Sequence, residues 1–301
     1  MNFKKYWILI AISVVIFSCK KQIEPKEVYE DMPGSGTLSF LTYNVAGLPE
    51  GINSDQFPSK HIHLISPLLN NFDVVNVQED FAYHDKLYKD IQHKYKTKYV
   101  ADLVFGDGLN TLAIMPILDY KRTRWDSCNG FDCLTPKGFT YSRLRFNATS
   151  FIDFYNVHTN AGDSEEDMRA RRNNIIQLME FMEKYSKGNT VVIMGDFNSR
   201  YTRVGDNIKL LSDSLGFKDV WVELLRNGVY PEKNDIALKD CETTYSNSGC
   251  EVVDKVLYRN SSDIELKPVF FDQDNPAFFD DSGMPLSDHR PMNVKFEYKV
   301  K

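Results

Sequence analysis

Six short polar motifs punctuate this 301-residue chain: Thr42-Tyr43-Asn44-Val45, Val77-Gln78-Glu79-Asp80, Asn156-Val157-His158, Gly195-Asp196-Phe197-Asn198, Val253-Asp254 and Ser287-Asp288-His289. Most end or sit within an apolar run that reads as a buried strand, so their polar residues emerge together at one end of a sheet core. Carboxylates, amides and two histidines gathered in this way suit a hard divalent cation and a phosphoryl group. The chemistry they point to is metal-dependent hydrolysis of a phosphoester.

Glu79 follows Val74-Val75-Asn76-Val77-Gln78 and therefore stands at a strand's C-terminal end, where one carboxylate with waters and substrate oxygens can hold Mg²⁺. Its neighbour Asp80 reads as a cap for a helix beginning at Phe81. Asn44, also at a strand end, offers an amide to the metal or to a phosphate oxygen without adding charge. Asp196 can orient or deprotonate a water, and Asn198 can donate to the phosphoryl group. Arg200 lies close enough in sequence to touch an anionic substrate. Asp288 can ligate metal or hold an imidazole, and His289 can bind phosphate or accept a proton. Asp254, on a strand between Val253 and Val256, needs a partner if buried, and His289 is the natural one. His158 is a second histidine for phosphate contact or leaving-group protonation. His61, His63, His84 and His93 lack such surroundings and read as structural or surface residues.

The elements that must position these groups alternate. Strand-like runs fall at 37–45, 73–78, 98–105, 111–117, 139–146, 151–158, 190–195, 252–258, 264–271 and 292–298. Helical patterns lie at about 60–70, 81–95, 164–185, 205–215 and 220–226. In the clearest helix, Asp163 or Ser164 can cap, Glu165, Glu166 and Asp167 favour the positive N-terminal end, and Ile175, Leu178, Met179 and Met182 form the apolar stripe. Interspersed strands and helices predict an α/β or α+β domain with a sheet core.

Lys4 and Lys5 precede an apolar run from Tyr6 to Phe17, short for a bilayer span of ~20 residues, which ends in Val15-Ile16-Phe17-Ser18-Cys19. That pattern resembles a bacterial lipoprotein signal. It predicts a signal peptide over residues 1–18, lipidation of Cys19, and an exported protein held at the outer membrane on its periplasmic or cell-surface face. Residues 19–36, with Pro25, Pro33, Gly34 and Gly36, read as a tether. Residues 37–301 are enough for one large domain, expected as a monomer. Loss of Lys4 and Lys5 takes the net charge from −6 to about −8. The absence of a long basic stripe argues against a dedicated nucleic-acid binder, though not against a nuclease whose metal alters the local field. The pairs Cys128/Cys133 and Cys241/Cys250 are candidates for two disulfides in an exported protein, with a zinc site as the rival reading.

Asn44, Glu79, His158, Asp196, Asn198, Asp254, Asp288 and His289, in that order and rough spacing, resemble the endonuclease/exonuclease/phosphatase superfamily over Leu38 to the end. That superfamily includes deoxyribonuclease I, abasic-site endonucleases, neutral and bacterial sphingomyelinases and inositol-polyphosphate 5-phosphatases. The resemblance implies a four-layer α/β/β/α sandwich, catalysis with Mg²⁺ (Mn²⁺ or Ca²⁺ as substitutes), and in-line attack of water on phosphorus. It implies Glu79 as the principal metal ligand, Asn44 and Asp288 completing that site, and Asp196 positioning the water. Asn198, His158 and His289 would stabilise the phosphoryl group, with Asp254 supporting His289. Asn160, within Asn156-Val157-His158-Thr159-Asn160-Ala161-Gly162, is a further substrate-binding expectation from the same resemblance. Glu251-Val252-Val253-Asp254-Lys255 replaces the Trp-Cys-Asp-Arg segment of the phosphoinositide phosphatases, a departure from that branch. Two segments are expected to select substrate: Asp119–Lys137, with Arg122, Arg124 and Trp125, and Asn275–Leu286, with Phe278 and Phe279. The leading expectation is a phosphodiesterase on a phospholipid headgroup, in the manner of a sphingomyelinase C. An extracytoplasmic nuclease, a phosphoinositide-type phosphatase and a non-catalytic binding lipoprotein are the alternatives.

Overall fold

The computed structural model describes residues 29–52, 57–101, 106–235, 238 and 249–301. Its chain divides into Met1–Glu30 and Asp31–Lys301, and the described strands and helices all lie in the second unit. Cys19, the expected lipidation site, and Cys241, the expected partner of Cys250, are outside the described residues. Among the described residues no helix is long and apolar enough to cross a membrane.

The strands, in chain order, are β1 (Ser35–Asn44), β2 (Val74–Gln78), β3 (Tyr95–Lys96), β4 (Asn110–Ala113), β5 (Ile117–Arg124), β6 (Gly138–Arg145), β7 (Phe151–His158), β8 (Thr190–Asp196), β9 (Lys218–Asp219), β10 (Asp254–Arg259), β11 (Ile264–Asp272) and β12 (Met292–Val300). They form two mixed six-stranded sheets, ordered β11-β12-β1-β2-β4-β3 and β5-β6-β7-β8-β10-β9. The helices α1 (Pro58–Leu68), α2 (His84–Tyr88), α3 (Glu165–Tyr185), α4 (Leu210–Leu215) and α5 (Val220–Leu225) flank them. The result is the four-layer α/β/β/α sandwich that the motif order implies.

Strand periodicity decides what faces what. On β1, Leu38 and Phe40 enter the cluster between the sheets, while Leu41 and Tyr43 pack outward with Ile62 and Ile65 of α1. Phe40 meets Phe154 of β7 edge-on at 5.0 Å. On α3, the buried residues Arg171, Asn174, Ile175, Leu178 and Met182 recur at helical spacing. Ser164 caps this helix and closes a reciprocal capping box with Asp167.

Toward the C-terminal ends of β1, β2, β7 and β8 the inter-sheet layer turns polar. Gln78 Nε2 donates to Thr42 Oγ1 at 3.0 Å and to Asn156 Oδ1 at 2.7 Å. Asn156 Nδ2 donates to the carbonyls of Val77 and Asn110 at 2.9 and 3.0 Å. Asn76 Nδ2 reaches the carbonyls of Tyr155 and Met194 at 3.0 and 3.3 Å, and its oxygen accepts from Thr111 Oγ1 at 2.8 Å. All of these side chains are buried, and each bond between the sheets fixes their relative sliding.

Several local expectations give way to tertiary context. The helix expected over 81–95 shrinks to the five residues of α2, and the described part of the strand expected at 98–105, residues 98–101, is not a strand; the two-residue β3 at 95–96 lies before it. Residues 102–105 lie outside the described residues. The run at 111–117 is two strands, because the chain leaves the first sheet after Ala113 and enters the second at Ile117. The first third of the expected insertion at 119–137 is therefore β5, and Arg122 is locked to Asp107 and to the carbonyls of Lys98 and Leu109. The chain enters the domain where Met32 N–H donates to the Phe146 carbonyl and Asp31 pairs with Arg145, beside the β6–β7 turn.

Asn156→Ala removes the donor that serves Val77 and Asn110 and one acceptor of Gln78. The expected loss is about 3 kcal/mol of unfolding free energy, measured as a lower midpoint in urea.

Candidate active site

Three of the motif residues lie side by side because of register alone. His158 of β7 pairs with Asp196 of β8, which pairs with Asp254 of β10. Each shares the face of inward residues further back on its strand: Phe154, Met194 and Val256. Asn44 closes β1 on the facing sheet, and Glu79 follows the last residue of β2.

The side chains converge. Asn44 Nδ2 lies 3.1 Å from Glu79 Oε1 and 3.3 Å from Asp196 Oδ2. His158 Nε2 lies 3.3 Å from Asp196 Oδ2 and 3.9 Å from Glu79 Oε1. His289 Nδ1 is 2.8 Å from Asp254 Oδ2, and its Nε2 is 3.7 Å from Asp196 Oδ2. Burial works against a charge on Asp196, but His289 and His158 outweigh it and hold the carboxyl far below the usual range. Burial likewise opposes a charged His289, and Asp254 with Asp196 overrides it, so the imidazole stays protonated well above its ordinary value. The buried pair is thus read as an imidazolium on Asp254, although burial pushes the Asp254 carboxyl upward.

Two backbone positions at the site lie in the left-handed region. Glu79 has φ 58° and Asn198 φ 46°, conformations that cost non-glycine residues of the order of 1–3 kcal/mol and collect at functional sites. The Asn198 turn is closed by its own N–H donating to Asp196 Oδ1 at 2.8 Å, while Nδ2 donates to the Thr159 carbonyl at 3.2 Å. Beside Glu79, Gly47 cannot be replaced cheaply, because a Cβ there would collide with the Glu79 carbonyl oxygen.

The other expected residues lie farther out. Asp288 is exposed and shares a cleft of ≈ 370 Å³ with Asn198, Arg200, Asp254 and His289. Arg200 is largely buried and donates to the Glu251 carbonyl at 2.7 Å. Asn160 is not brought to the carboxylates. Its oxygen accepts from Asn129 N–H at 2.7 Å, and its amide donates to Ala161 and Asp167. Asn44 turns its NH₂ to Glu79 and Asp196 while its oxygen accepts from Ala46 N–H at 3.0 Å, an arrangement that bridges the two carboxylates. Asp80 is not a helix cap: α2 starts at His84 after Tyr83, and the Asp80 carboxylate binds His84 and Asn110 instead. Trp125 and Phe278 pack inward. Trp125 Nε1 donates to the His158 carbonyl at 2.6 Å, and Phe278 meets Tyr43 edge-on at 5.0 Å.

Of the two expected disulfides, Cys128–Cys133 forms and closes its loop, from which Asp132 accepts the Ala161 N–H. The expectation that Cys250 pairs with Cys241 is not matched by any bond between described residues, because Cys241 lies outside them. Cys250 itself is buried and disulfide-bonded. Gln273 Nε2 donates to the Cys250 carbonyl at 3.4 Å and stands 3.8 Å from its Sγ. A sulfur already in a disulfide is not a thiolate ligand, so the rival reading of a zinc site fails at Cys128, Cys133 and Cys250.

Sequence reasoning missed Lys137. Its ammonium pairs with Asp132 at 2.8 Å, is almost buried, and adds to the positive field that keeps Asp196 ionised. Also missed was Arg171 on α3, buried and paired with Asp206 at 2.9 Å. Asp206 in turn accepts from the Arg200 N–H and from Arg203, while Arg171 holds the carbonyls of Asn160 and Gly162. This junction ties together the loops that follow His158 and Asp196. A separation of 35 residues between Arg171 and Asp206 gave no local signal for it.

Hard oxygen donors around an acidic hollow fit a divalent cation. Asp196, Asp254 and His289 offer ligand atoms within 4.8 Å of one another. Glu79 is partly solvent-accessible, and among the described residues the one basic side chain within 4 Å of its carboxylate is His158, at 3.9 Å.

A sandwich of two mixed sheets with this polar set at one edge defines the class. Residues 56–295 match the Endonuclease/Exonuclease/phosphatase family 2, and the chain belongs to that family. The sphingomyelinase of Mycobacterium tuberculosis (strain H37Rv) is 35% identical over 272 residues, covering 88% of this chain and 53% of its own length. The chain thus spans about half the length of the curated relatives it matches. Among solved structures, a beta toxin mutant from Staphylococcus aureus with bound magnesium ions superposes with a TM-score of 0.59 at 20% identity, over 88% of this chain and 100% of the toxin. D. rerio TDP2 complexed with a single-strand DNA product gives 0.62 at 17% identity, over 86% and 98%.

Asp206→Asn leaves the Arg171 guanidinium buried without a full counter-charge. A loss of about 3–5 kcal/mol is expected, read by chemical denaturation; Arg171→Met in the same background should recover part of it.

Proposed function

We propose that this protein is a divalent-metal-dependent phosphodiester hydrolase acting on a phospholipid headgroup in the manner of a sphingomyelinase C, with Mg²⁺ as the working ion. The observation that carries the reading is the registered row His158–Asp196–Asp254, faced by Asn44 and Glu79 from the other sheet. The identity with a sphingomyelinase over 88% of this chain supports a lipid phosphodiester as the substrate class. The magnesium ions of the beta toxin mutant support the choice of ion.

In this reading Glu79 is the principal metal ligand, with Asp288 on the cleft rim extending the site. The ion, when bound, neutralises charge on the phosphoryl oxygens and favours a water as nucleophile. Asp196, held ionised, orients that water as a hydrogen-bond acceptor. His289, kept protonated and oriented by Asp254, donates to a phosphoryl oxygen, and Asn198 supports the same group. His158, lodged between Glu79 and Asp196, serves the phosphate or the leaving oxygen. Asn44 keeps two like-charged carboxylates at a fixed separation. We further propose that residues 1–18 are a signal peptide and that Cys19 is lipidated, anchoring the protein to the outer membrane.

Purified protein offered sphingomyelin, phosphoinositides and plasmid DNA with Mg²⁺ should release phosphocholine and lose that activity in EDTA. Release of inorganic phosphate from phosphoinositides would make it a phosphatase, and cleavage of DNA alone would make it a nuclease. Glu79→Ala and His289→Ala should each lower kcat/KM by about 10³-fold or more with unchanged circular dichroism; near-normal turnover in either overturns the assignment. Cys19→Ser should move the protein from the membrane to the soluble fraction and abolish incorporation of labelled fatty acid.

A further inference from the structure

Glu79 carries a conformational cost that its own contacts do not explain. An L-residue with a φ of 58° stays there only if its surroundings over-determine it. On one side the carbonyl of Glu79 is held by Gly47 N–H at 3.1 Å and by Phe81 N–H at 2.8 Å. On the other side stands Asp80, whose N–H donates to the Gly108 carbonyl at 3.0 Å. The Asp80 side chain is 1% exposed and takes no part in the chemistry proposed above.

That carboxylate is heavily engaged. It accepts from Asn110 Nδ2 at 2.7 Å and lies 2.6 Å from His84 Nδ1. The His84 ring is clamped between Tyr99, stacked at 3.9 Å with 13° between the planes, and Tyr88 at 4.0 Å. Tyr99 then closes the circuit by donating its hydroxyl to the Phe81 carbonyl at 2.7 Å. Asn110 is itself held by Arg122 of the second sheet, through its oxygen at 3.2 Å. Residue 80 is thus gripped from α2, from β4 and, through Arg122, from β5. A buried carboxylate needs partners of this kind to offset its desolvation, and here they also fix the backbone next to Glu79.

We infer that Asp80 and His84 are positioning residues for the metal: they lock the Glu79 backbone in its left-handed turn and so keep its carboxylate 3.1 Å from Asn44, where the ion is taken up. This rests on the reading of Glu79 as a metal ligand. Without the grip on residue 80, the backbone at Glu79 relaxes toward ordinary φ and the carboxylate swings off the shared hollow. The effect is on metal affinity, since neither residue touches the reacting phosphorus. Partners of this kind alter metal affinity by about 10- to 100-fold when removed.

The test is calorimetric titration of the full chain in detergent with Mg²⁺ alone, together with the rise in unfolding temperature that Mg²⁺ produces. Asp80→Asn and His84→Ala should raise the Mg²⁺ dissociation constant about 10- to 100-fold, while kcat at saturating Mg²⁺ stays within a few-fold of wild type. His84→Asn, whose amide can still donate to Asp80, should recover most of the affinity. Variants that lose stability without Mg²⁺ yet bind it as tightly as wild type overturn the inference and leave the pair purely structural. Wild-type protein with no saturable Mg²⁺ uptake overturns the metal reading of Glu79 itself, which the variant series alone cannot do.

Discussion

The arrangement depends on one constraint: two sheets that share an apolar core must also keep their strand ends aligned. Hydrophobic contact resists separation of the sheets and has no preferred lateral position. Direction comes from the amides at the site end of that core. Gln78 reaches Asn156 and Thr42, Asn156 reaches backward to Val77 and Asn110, and Asn76 reaches Tyr155 and Met194. A slip of one residue in any of these strands would turn that strand's inward side chains outward and break the bonds it makes in the set. The same layer lies directly behind Asn44, His158 and Asp196, so the sheets are most tightly indexed where the chemistry needs them to be.

Beyond that layer the structure accepts local cost. Carboxylates at 79, 196 and 254 approach one another, a repulsive arrangement that Asn44, His158 and His289 make tolerable by standing between them. Left-handed turns at Glu79 and Asn198 aim side chains that a regular strand end would point elsewhere. The loops that follow are braced by the buried Arg171–Asp206 junction, and the Cys128–Cys133 loop is bonded to the backbone beside Asn160. A concentrated, partly repulsive site is thus carried by a rigid and heavily cross-bonded frame.

Much of this was legible because strands write their register locally. The apolar runs Thr37–Val45 and Phe151–His158 marked buried strands, and the polar residue at each strand end marked the site. The cap of α3 was narrowed to Asp163 or Ser164, and the structure uses Ser164, with Asp167 closing a capping box that the sequence reading did not name. Other features depend on residues far apart in sequence. Nothing near Asp80 announces that Asn110 and Arg122 hold it, and nothing near Lys137 shows that its charge reaches Asp196. The helix expected after Phe81 fails because side chains there serve the Glu79 turn and the Tyr99–His84 stack instead of a helical face. The contacts of Asn160 are hidden for a related reason: its amide serves the disulfide loop and the α3 cap, neither of which its own strand-end motif reveals.

The point at which the chain joins the domain has a mechanical meaning. Met32 and Asp31 are fastened beside the β6–β7 turn, at the end of β7 opposite His158 and at the start of the strand that ends in Asn44. With ten residues in β1, at about 3.3 Å each, that entry stands roughly 30 Å behind the reacting groups. Any attachment upstream of Asp31 therefore pulls on the back of the sandwich.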